Sequence, residues 1–203
     1  LFADSCAFEH NGIRHFNEQD IRAITGIFNS SKKDNPDKIG KFGVGFKSVF
    51  VYTDTPIIFS QDYSFKILKL VLPEEVPPKP GLGGRTRFEF PFNTTKKNVA
   101  TSYAEVKSGL EKLSETTLLF LNNLRHIRWK AGEREGEIQR EEHSDIHIEV
   151  LKLVNGDEVV SSHWLRFAEP IQNLEQYTAP TDAAVHQKVA VAFELQLLND
   201  KKP

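Results

Sequence analysis

The sequence predicts an α+β fold in which short helices accompany strands in the first part and strands dominate the second. Apolar residues recur at helical spacing in residues 17–27 and 102–124. Segments 56–60 and 63–71 are rich in Ile, Phe and Val, as strands are. Segment 86–92 alternates polar and apolar side chains like a half-buried strand. Together these patterns favour helices packed beside a sheet.

The first elements are a strand, a turn and a capped helix. Residues 5–9 predict a short strand that ends at the turn signal His10-Asn11-Gly12. Asn17 is a predicted N-cap, and Asp20 three residues later completes a capping box. The apolar face of the helix then consists of Ile21, Ile24 and Ile27.

A polar loop and a glycine-rich segment follow. Residues 29–41 lack any periodic apolar signal and consist mostly of turn-forming and charged residues, which predicts a mobile loop. Residues 46–52 look like the start of a buried helix. Residues 73–84 contain four prolines and three glycines and predict a connector.

The remainder predicts one long helix and a β-rich extension. The expected buried face of helix 102–124 contains Val106, Leu110, Leu113, Thr117 and Phe120. Segments 125–130, 146–154, 159–168 and 186–197 are predicted strands, and 131–143 a polar hairpin or loop. A boundary near residue 93 divides the chain into residues 1–92, which carry the motifs, and residues 93–203.

Composition limits the possible partners. The chain has 203 residues, 39% of them apolar and 27% charged, with a net charge of −2. A small negative net charge does not attract nucleic acid or an acidic membrane, so neither is an expected partner. The lone Cys6 fits a reducing compartment, and no apolar run reaches the roughly 18 residues of a membrane span. We therefore expect a cytoplasmic location.

The absence of Met suggests an internal fragment of a larger protein.

The segment that indicates chemistry is residues 39–50, with glycines at 40, 43 and 45. Glycine lets the backbone approach a ligand closely, and successive amides in such a loop converge on an anion. A following helix start would add free N–H groups, and Lys41 and Lys47 would add positive charge. The same spacing also suits a plain strand-to-helix turn. It is neither a P-loop nor the dinucleotide-binding order of glycines.

The full string GKFGVGFKSVF resembles the third ATP-binding motif of the GHKL (Bergerat-fold) ATPase superfamily, especially its heat-shock-chaperone and sacsin-like branches. The match includes Phe42 and Phe46 as well as the glycines. Residues 8–12, Phe16 and the helix that follows resemble the second motif, which forms the adenine pocket. Residues 84–88 resemble the Gly-Thr strand beneath the adenine. The resemblance covers residues 5–92, and its details point to the sacsin-like branch.

The resemblance implies a two-layer α/β sandwich, with helices over one face of a mixed sheet, that binds ATP with Mg²⁺. Residues 28–39 would form the ATP lid, which nucleotide binding orders and hydrolysis releases. The implied binding residues are His10, Asn11, Gly12, Lys32, Gly40, Lys41, Phe42, Gly43, Val44, Gly45, Phe46 and Thr86. Residues 93–203 would add a helix and a β-rich extension that relays lid closure to the rest of a larger protein.

Two departures from the superfamily pattern bear on activity. The Asp that usually binds the adenine amino group is replaced by His10 or Asn11, either of which makes a weaker contact than a carboxylate. The helix that carries the first motif, with its Mg²⁺-binding Asn and water-orienting Glu, has no counterpart before Phe8. We therefore assign no catalytic residue and expect ATP hydrolysis only if the parent protein contains that helix.

Three function classes follow from this sequence. The first is an ATP-binding module of a sacsin-like or chaperone-like ATPase, which acts on a protein client that the sequence does not identify. The second is a degenerate scaffold or interaction domain that retains the fold without chemistry. The third is a kinase-type member of the superfamily, for which no phospho-acceptor helix is visible in the sequence.

Other polar clusters have plainer interpretations. Cys6 is expected to be a buried inert thiol, and no metal site is predicted. His143 and His147 have i, i+4 spacing, but they precede a predicted strand and are interpreted as surface residues. Trp129 lies among basic residues, which is an arrangement that can bind nucleic acid. We instead expect Trp129 to be a core residue. Trp164 and Phe167 are also predicted core residues.

Overall fold

A computed structural model describes residues 1–26, 45–170 and 188–196 of the 203-residue chain. The chain divides into two compact units, Leu1–Lys107 and Ser108–Pro203. The boundary predicted near residue 93 falls between the last strand of the first unit and the helix that follows it.

The first unit is built on a five-stranded sheet. The strands are β1 (Ser5–His10), β2 (Ile57–Ser60), β3 (Tyr63–Leu68), β4 (Leu72–Glu75) and β5 (Thr86–Pro91). The order across the sheet is β1-β5-β2-β3-β4, and every neighbouring pair is antiparallel. Helix α1 (Glu18–Thr25) and a 3₁₀ helix (Phe46–Val51) lie between β1 and β2 in the sequence.

The predicted two-layer α/β sandwich with a mixed sheet is wrong. Strand β5 enters the sheet between β1 and β2 and runs antiparallel to both, while β2, β3 and β4 are joined as successive hairpins. A mixed sheet needs parallel neighbours joined by a crossover, and this order of strands provides none among the described residues. The described fold is mostly β, with two antiparallel five-stranded sheets.

The core of the first unit lies on one face of its sheet. Ile58, Phe65 and Ile67 are buried there together with Phe50 of the 3₁₀ helix. Ile21 and Ile24 of α1 pack against this cluster, which confirms the predicted apolar face as far as residue 24. The capping box is also confirmed, because Asn17 accepts from the Asp20 amide and Asp20 accepts from the Asn17 amide.

Two local predictions in this unit need correction. The buried helix predicted to start at residues 46–52 is a six-residue 3₁₀ helix over residues 46–51, and Phe50 is its buried residue. Strand β4 extends into the region predicted as a connector, because residues 72–75 pair with β3 across a tight turn. Proline is tolerated in such an edge strand, since the strand has a neighbour on one side only.

The second unit contains an antiparallel meander. Helix α2 (Val99–Glu111) crosses the boundary between the units, and a short 3₁₀ helix (Glu115–Leu118) follows it. The strands are β6 (His126–Ala131), β7 (Arg134–Glu142), β8 (His147–Val154), β9 (Asp157–Pro170) and β10 (Lys188–Leu195), in the spatial order β10-β9-β8-β7-β6. The core contains Leu118, Leu119, Ile138, Ile148 and Val150.

The long helix predicted for 102–124 ends at Glu111. Ser114 takes an extended backbone conformation before the 3₁₀ turn, and this break directs Leu118 and Leu119 into the core, with Phe120 left 47% exposed. The polar hairpin or loop predicted for 131–143 is a hairpin: residues 132–133 form the turn after β6, and residues 134–142 form strand β7. Its charged composition hides the strand pattern, because the buried positions include a glycine and an arginine.

Burial of the aromatic residues in the second unit differs from position to position. Trp129 is 8% exposed, which confirms its core position, and Trp164 packs against the core from a half-buried position. Phe167 is 41% exposed, so its predicted core position is wrong.

The longest described helix has 13 residues, and none of the described helices has the length and apolarity that a membrane crossing requires.

Candidate functional site

Parts of three predicted motifs meet on one face of the first sheet. His10 at the end of β1 lies directly opposite Thr86 at the start of β5, and Phe8 lies opposite Phe88. Because directly paired residues of an antiparallel sheet project to the same side, these four side chains share a face. The ring of Phe46, which follows the glycine-rich segment, lies 6.2 Å from the ring of Phe88.

The His10-Asn11-Gly12 turn has a defined internal geometry. The Gly12 amide donates to Nδ1 of His10 at 3.1 Å, so the proton of the neutral imidazole lies on Nε2. A Cβ at Gly12 would approach Nδ1 to 3.0 Å, so any side chain there would displace the ring. Asn11 is exposed. The turn therefore presents an N–H donor from His10 and a free amide from Asn11.

Burial and the nearby His15 lower the pKa of His10 below its ordinary value of 6.5. Burial removes water from the imidazolium ion, and the positive charge of a protonated His15 opposes a second one. His10 is therefore neutral at physiological pH. Neutrality preserves Nδ1 as the acceptor for Gly12 and Nε2 as the donor.

Thr86 is fully buried and forms part of a hydroxyl chain. Its Oγ1 lies 2.8 Å from Oγ of Ser60 on β2, and the Phe16 amide donates to Ser60 Oγ at 3.0 Å. This chain fixes the segment that enters α1 against the sheet. Ser60 was not a predicted site residue, because its 26-residue separation from Thr86 gives no signal in the sequence.

An aromatic cluster surrounds the His10 ring. The rings of Phe8 and His10 each lie about 6 Å from the Phe88 ring, at 5.9 and 6.1 Å. Phe16 contacts Phe88 edge-on, and Phe46 contacts Phe90 as well. Phe8 remains 51% exposed, so the cluster offers an aromatic surface next to the turn.

Gly45 has no structural need to be glycine among the described residues. Its φ of −57° and ψ of −47° suit any amino acid, and no described atom lies within 4 Å of a Cβ built there. Its carbonyl accepts from Ser48 Oγ at 2.8 Å. Open space beside an exposed glycine is what close approach of a ligand would require.

Lys47 is engaged elsewhere. Its ammonium group donates to the Leu70 carbonyl at 2.6 Å and lies over the Phe50 ring, and burial lowers its pKa. Lys47 therefore stabilises the turn between β3 and β4. The remaining predicted site residues, Lys32, Gly40, Lys41, Phe42, Gly43 and Val44, lie outside the described residues.

The opposite face of the sheet holds a charge network. Arg87 pairs with Glu9 and Glu89, and Lys79 pairs with Glu89 at 2.9 Å. Along β1 and β5, the face that carries His10 consists of Cys6, Phe8, His10, Thr86, Phe88 and Phe90. None of these six residues is a carboxylate. These strands therefore present aromatic and neutral polar groups to the candidate site and their acids to the other side.

Two further predictions can be compared with the structure. Cys6 is half-buried rather than buried as predicted, and burial raises the pKa of its thiol. The basic residues around Trp129 are paired with acids: Arg125 with Glu142, Arg128 with Glu137 and Lys130 with Glu135. Such pairing cancels the local positive charge that a nucleic-acid surface would need.

Comparison with known proteins finds a likeness to sacsin in the first part of the chain. Residues 6–72 match the family model described as the Sacsin domain. Human sacsin is 51% identical over 47 residues, covering 23% of this chain and 1% of sacsin. Protein NO VEIN from Arabidopsis thaliana is 31% identical over 137 residues, covering 57% of this chain and 5% of that protein. No solved structure matches this chain.

The region matched by the family model begins at the second residue of β1, includes α1, the 3₁₀ helix, β2 and β3, and ends at the first residue of β4. It therefore includes the His10–Gly12 turn, Gly45, Phe46 and Ser60. This part of the chain is sacsin-like. The chain spans only a few hundredths of the length of either relative.

Proposed function

We propose that the first unit is an ATP-binding module of a larger, sacsin-like protein, with Mg²⁺ entering together with the nucleotide. One observation carries the proposal. The His10–Gly12 turn, the Thr86 strand and the residue after the glycine-rich segment lie around a single aromatic ring, that of Phe88. These pieces are distant in sequence, and a shared ligand would account for their meeting.

The turn suits recognition of a purine base. His10 Nε2–H is a donor for a ring nitrogen, and the Asn11 side-chain carbonyl is an acceptor for an exocyclic amino group. The exposed part of Phe8 offers a face against which a base can stack. Thr86 acts as a positioning residue, because its buried hydroxyl holds Ser60 and, through it, the Phe16 amide.

The open surroundings of Gly45 support phosphate binding by the glycine-rich segment. A backbone amide can approach an anion closely only where no side chain intervenes. Gly45 meets that condition among the described residues, and the fold itself does not demand glycine there. The resemblance assigns Gly40, Gly43, Lys32 and Lys41, which lie outside the described residues, to the same proposed cradle.

ATP bound with Mg²⁺ would supply a phosphoanhydride whose cleavage needs an oriented water. The face of β1 and β5 contributes no carboxylate for that purpose. The proposal for this chain is therefore binding, and turnover would require the first-motif helix in a parent protein.

The test is calorimetric titration of the chain with ATP and ADP, with and without Mg²⁺, for the wild type and Gly45→Ala. Alanine fits the backbone conformation at residue 45, so thermal unfolding should be unchanged. We expect at least a tenfold loss of ATP affinity, about 1.4 kcal/mol, because the methyl group would occupy the space that a phosphate needs.

Gly109→Ala is the matched control, since a Cβ at Gly109 in α2 also meets no described atom within 4 Å and the residue lies outside the predicted motifs. It should bind ATP like the wild type. Equal ATP affinity of Gly45→Ala and the wild type would show that the glycine-rich segment does not bind the phosphates. Failure of both this chain and its parent protein to bind ATP would refute the proposed function.

A non-hydrolysing scaffold is the second candidate. It is favoured by the neutral His10 in a place where a carboxylate would bind an amino group more strongly. The same titration separates the two functions, because a scaffold predicts no nucleotide binding by the wild type or the parent protein.

A further inference from the structure

Three histidines and a glutamate meet on one face of the second sheet, in a unit that the proposed nucleotide site does not use. His143 follows β7, His147 and Glu149 lie on β8, and His163 lies on β9. Glu149 is directly opposite His163 in the register. The turn between β7 and β8 brings His143 beside them, because the His143 amide donates to the His147 carbonyl at 2.9 Å.

The potential ligand atoms of His143, Glu149 and His163 all lie within 4.8 Å of one another. Nε2 of His143 is 2.7 Å from one carboxylate oxygen of Glu149, and Nε2 of His163 is 3.8 Å from the other. Tetrahedral Zn²⁺ with bonds of about 2.0–2.1 Å holds its ligand atoms ~3.3 Å apart. Side-chain shifts of roughly an ångström would therefore satisfy the metal.

The surrounding contacts are those that support metal ligands. His147 Nε2 lies 3.0 Å from Nδ1 of His163. If the His163 proton lies on Nδ1, it is donated to His147, and Nε2 is left free to bind a cation. Ser161 donates to one oxygen of Glu149 at 3.1 Å. Both are outer contacts of the kind that orient ligands in metal sites.

We propose that His143, Glu149 and His163 bind a Zn²⁺ ion, with His147 as a positioning residue for His163. Two imidazoles and one carboxylate form a ligand set of the His₂Glu type, which leaves a fourth position for water. The set excludes Mg²⁺ and Ca²⁺, which prefer oxygen ligands. Because the ligands come from the turn after β7 and from β8 and β9, bound zinc cross-links three successive parts of the meander.

Spacing along the sequence reveals little of this site. The i, i+4 pair His143 and His147 was the only visible signal, and His147 lies outside the direct ligand set. His163 and Glu149 join it only through the register between β8 and β9. The site rests on strand pairing rather than on a sequence motif.

The test is titration of the full chain with Zn²⁺ in competition with a chromophoric chelator. Mg²⁺ serves as the negative control. We expect one zinc bound per chain and a higher temperature of unfolding in its presence. The variants His163→Ala and Glu149→Gln should each lose this binding at least a hundredfold. His147→Asn should weaken it about 10–100-fold, as loss of an outer contact does.

The matched control is His126→Asn. His126 also pairs with a glutamate on the same sheet, Glu137 at 2.6 Å, but is not part of the cluster. It should bind zinc like the wild type. Glu149 and His163 are mostly buried, with 18% and 19% of the side chain exposed, so circular dichroism must establish that each variant is folded. Folded His163→Ala that retains wild-type affinity, or no zinc binding by the wild type, would overturn the proposal.

Discussion

At the residue scale, His10 connects the turn to the aromatic cluster. Its Nδ1 accepts from the Gly12 amide while its ring lies 6.1 Å from both Phe8 and Phe88. Protonation would place a hydrogen on Nδ1 and remove that acceptor. The shape of the turn therefore depends on the charge of one side chain.

This dependence predicts a pH effect on stability. The folded-state pKa of His10 is lowered, so the unfolded chain binds a proton more readily than the folded one. The stabilisation from neutral His10 is complete above its ordinary pKa of 6.5 and is lost as the pH falls towards the folded-state value. Urea unfolding between about pH 7.5 and about pH 5.5 should show a steeper loss in the wild type than in His10→Asn. Identical slopes would contradict this account of the turn.

Contacts between residues close in the sequence could be predicted, and contacts between distant residues could not. The turn at Gly12 and the capping box at Asn17 depend on neighbours within a few positions, so local rules identify them. The contact of Thr86 with Ser60 and that of His163 with Glu149 depend on strand register, which distant parts of the chain determine. Local patterns contain no information on such pairs.

At the scale of elements, two arginines hold the segment after α2 against the second sheet. Arg140 of β7 donates to the carbonyls of Leu118 and Leu121, both at 2.8 Å, and its side chain is only 1% exposed. Arg166 of β9 donates to the Leu119 carbonyl at 3.0 Å. These bonds satisfy carbonyl groups at the end of a 3₁₀ helix that lies in the core.

Arg140→Leu should destabilise the chain by ~3 kcal/mol, because it leaves buried carbonyls without donors. Chemical denaturation measures the change in the free energy of unfolding. Arg128→Leu is the matched control, since Arg128 is 73% exposed and its ion pair within the described part of the chain is with Glu137 at 3.3 Å. Its cost should be about 0–1 kcal/mol. A similar small loss for both variants would show that Arg140 does not support the segment.

The same element explains why the helix prediction extended too far. Apolar spacing continues past Glu111, so the sequence indicates one helix up to residue 124. Buried Arg140 and partly buried Arg166 donate to backbone carbonyls, so the chain can leave the helix and insert Leu118 and Leu119 into the core. Tertiary contacts outweigh local helix preference there.

At the scale of the whole molecule, each unit has its own antiparallel sheet and its own core. The motif resemblance predicted the elements on either side of the glycine-rich segment, yet it implied a mixed sheet that the strand order excludes. Motifs constrain the chain near a ligand, whereas sheet topology depends on where β5 inserts. The proposed site therefore depends on the residues around Phe88 and not on the fold class that the resemblance implied.

Hydrogen–deuterium exchange of the whole chain, with and without saturating ATP and Mg²⁺, tests the central claim most directly. The account predicts slower exchange in peptides that contain the His10–Gly12 turn and in those that begin at Gly45, because these backbones face the proposed ligand. Protection confined to other segments, or unchanged exchange at both places although calorimetry shows binding, would contradict it.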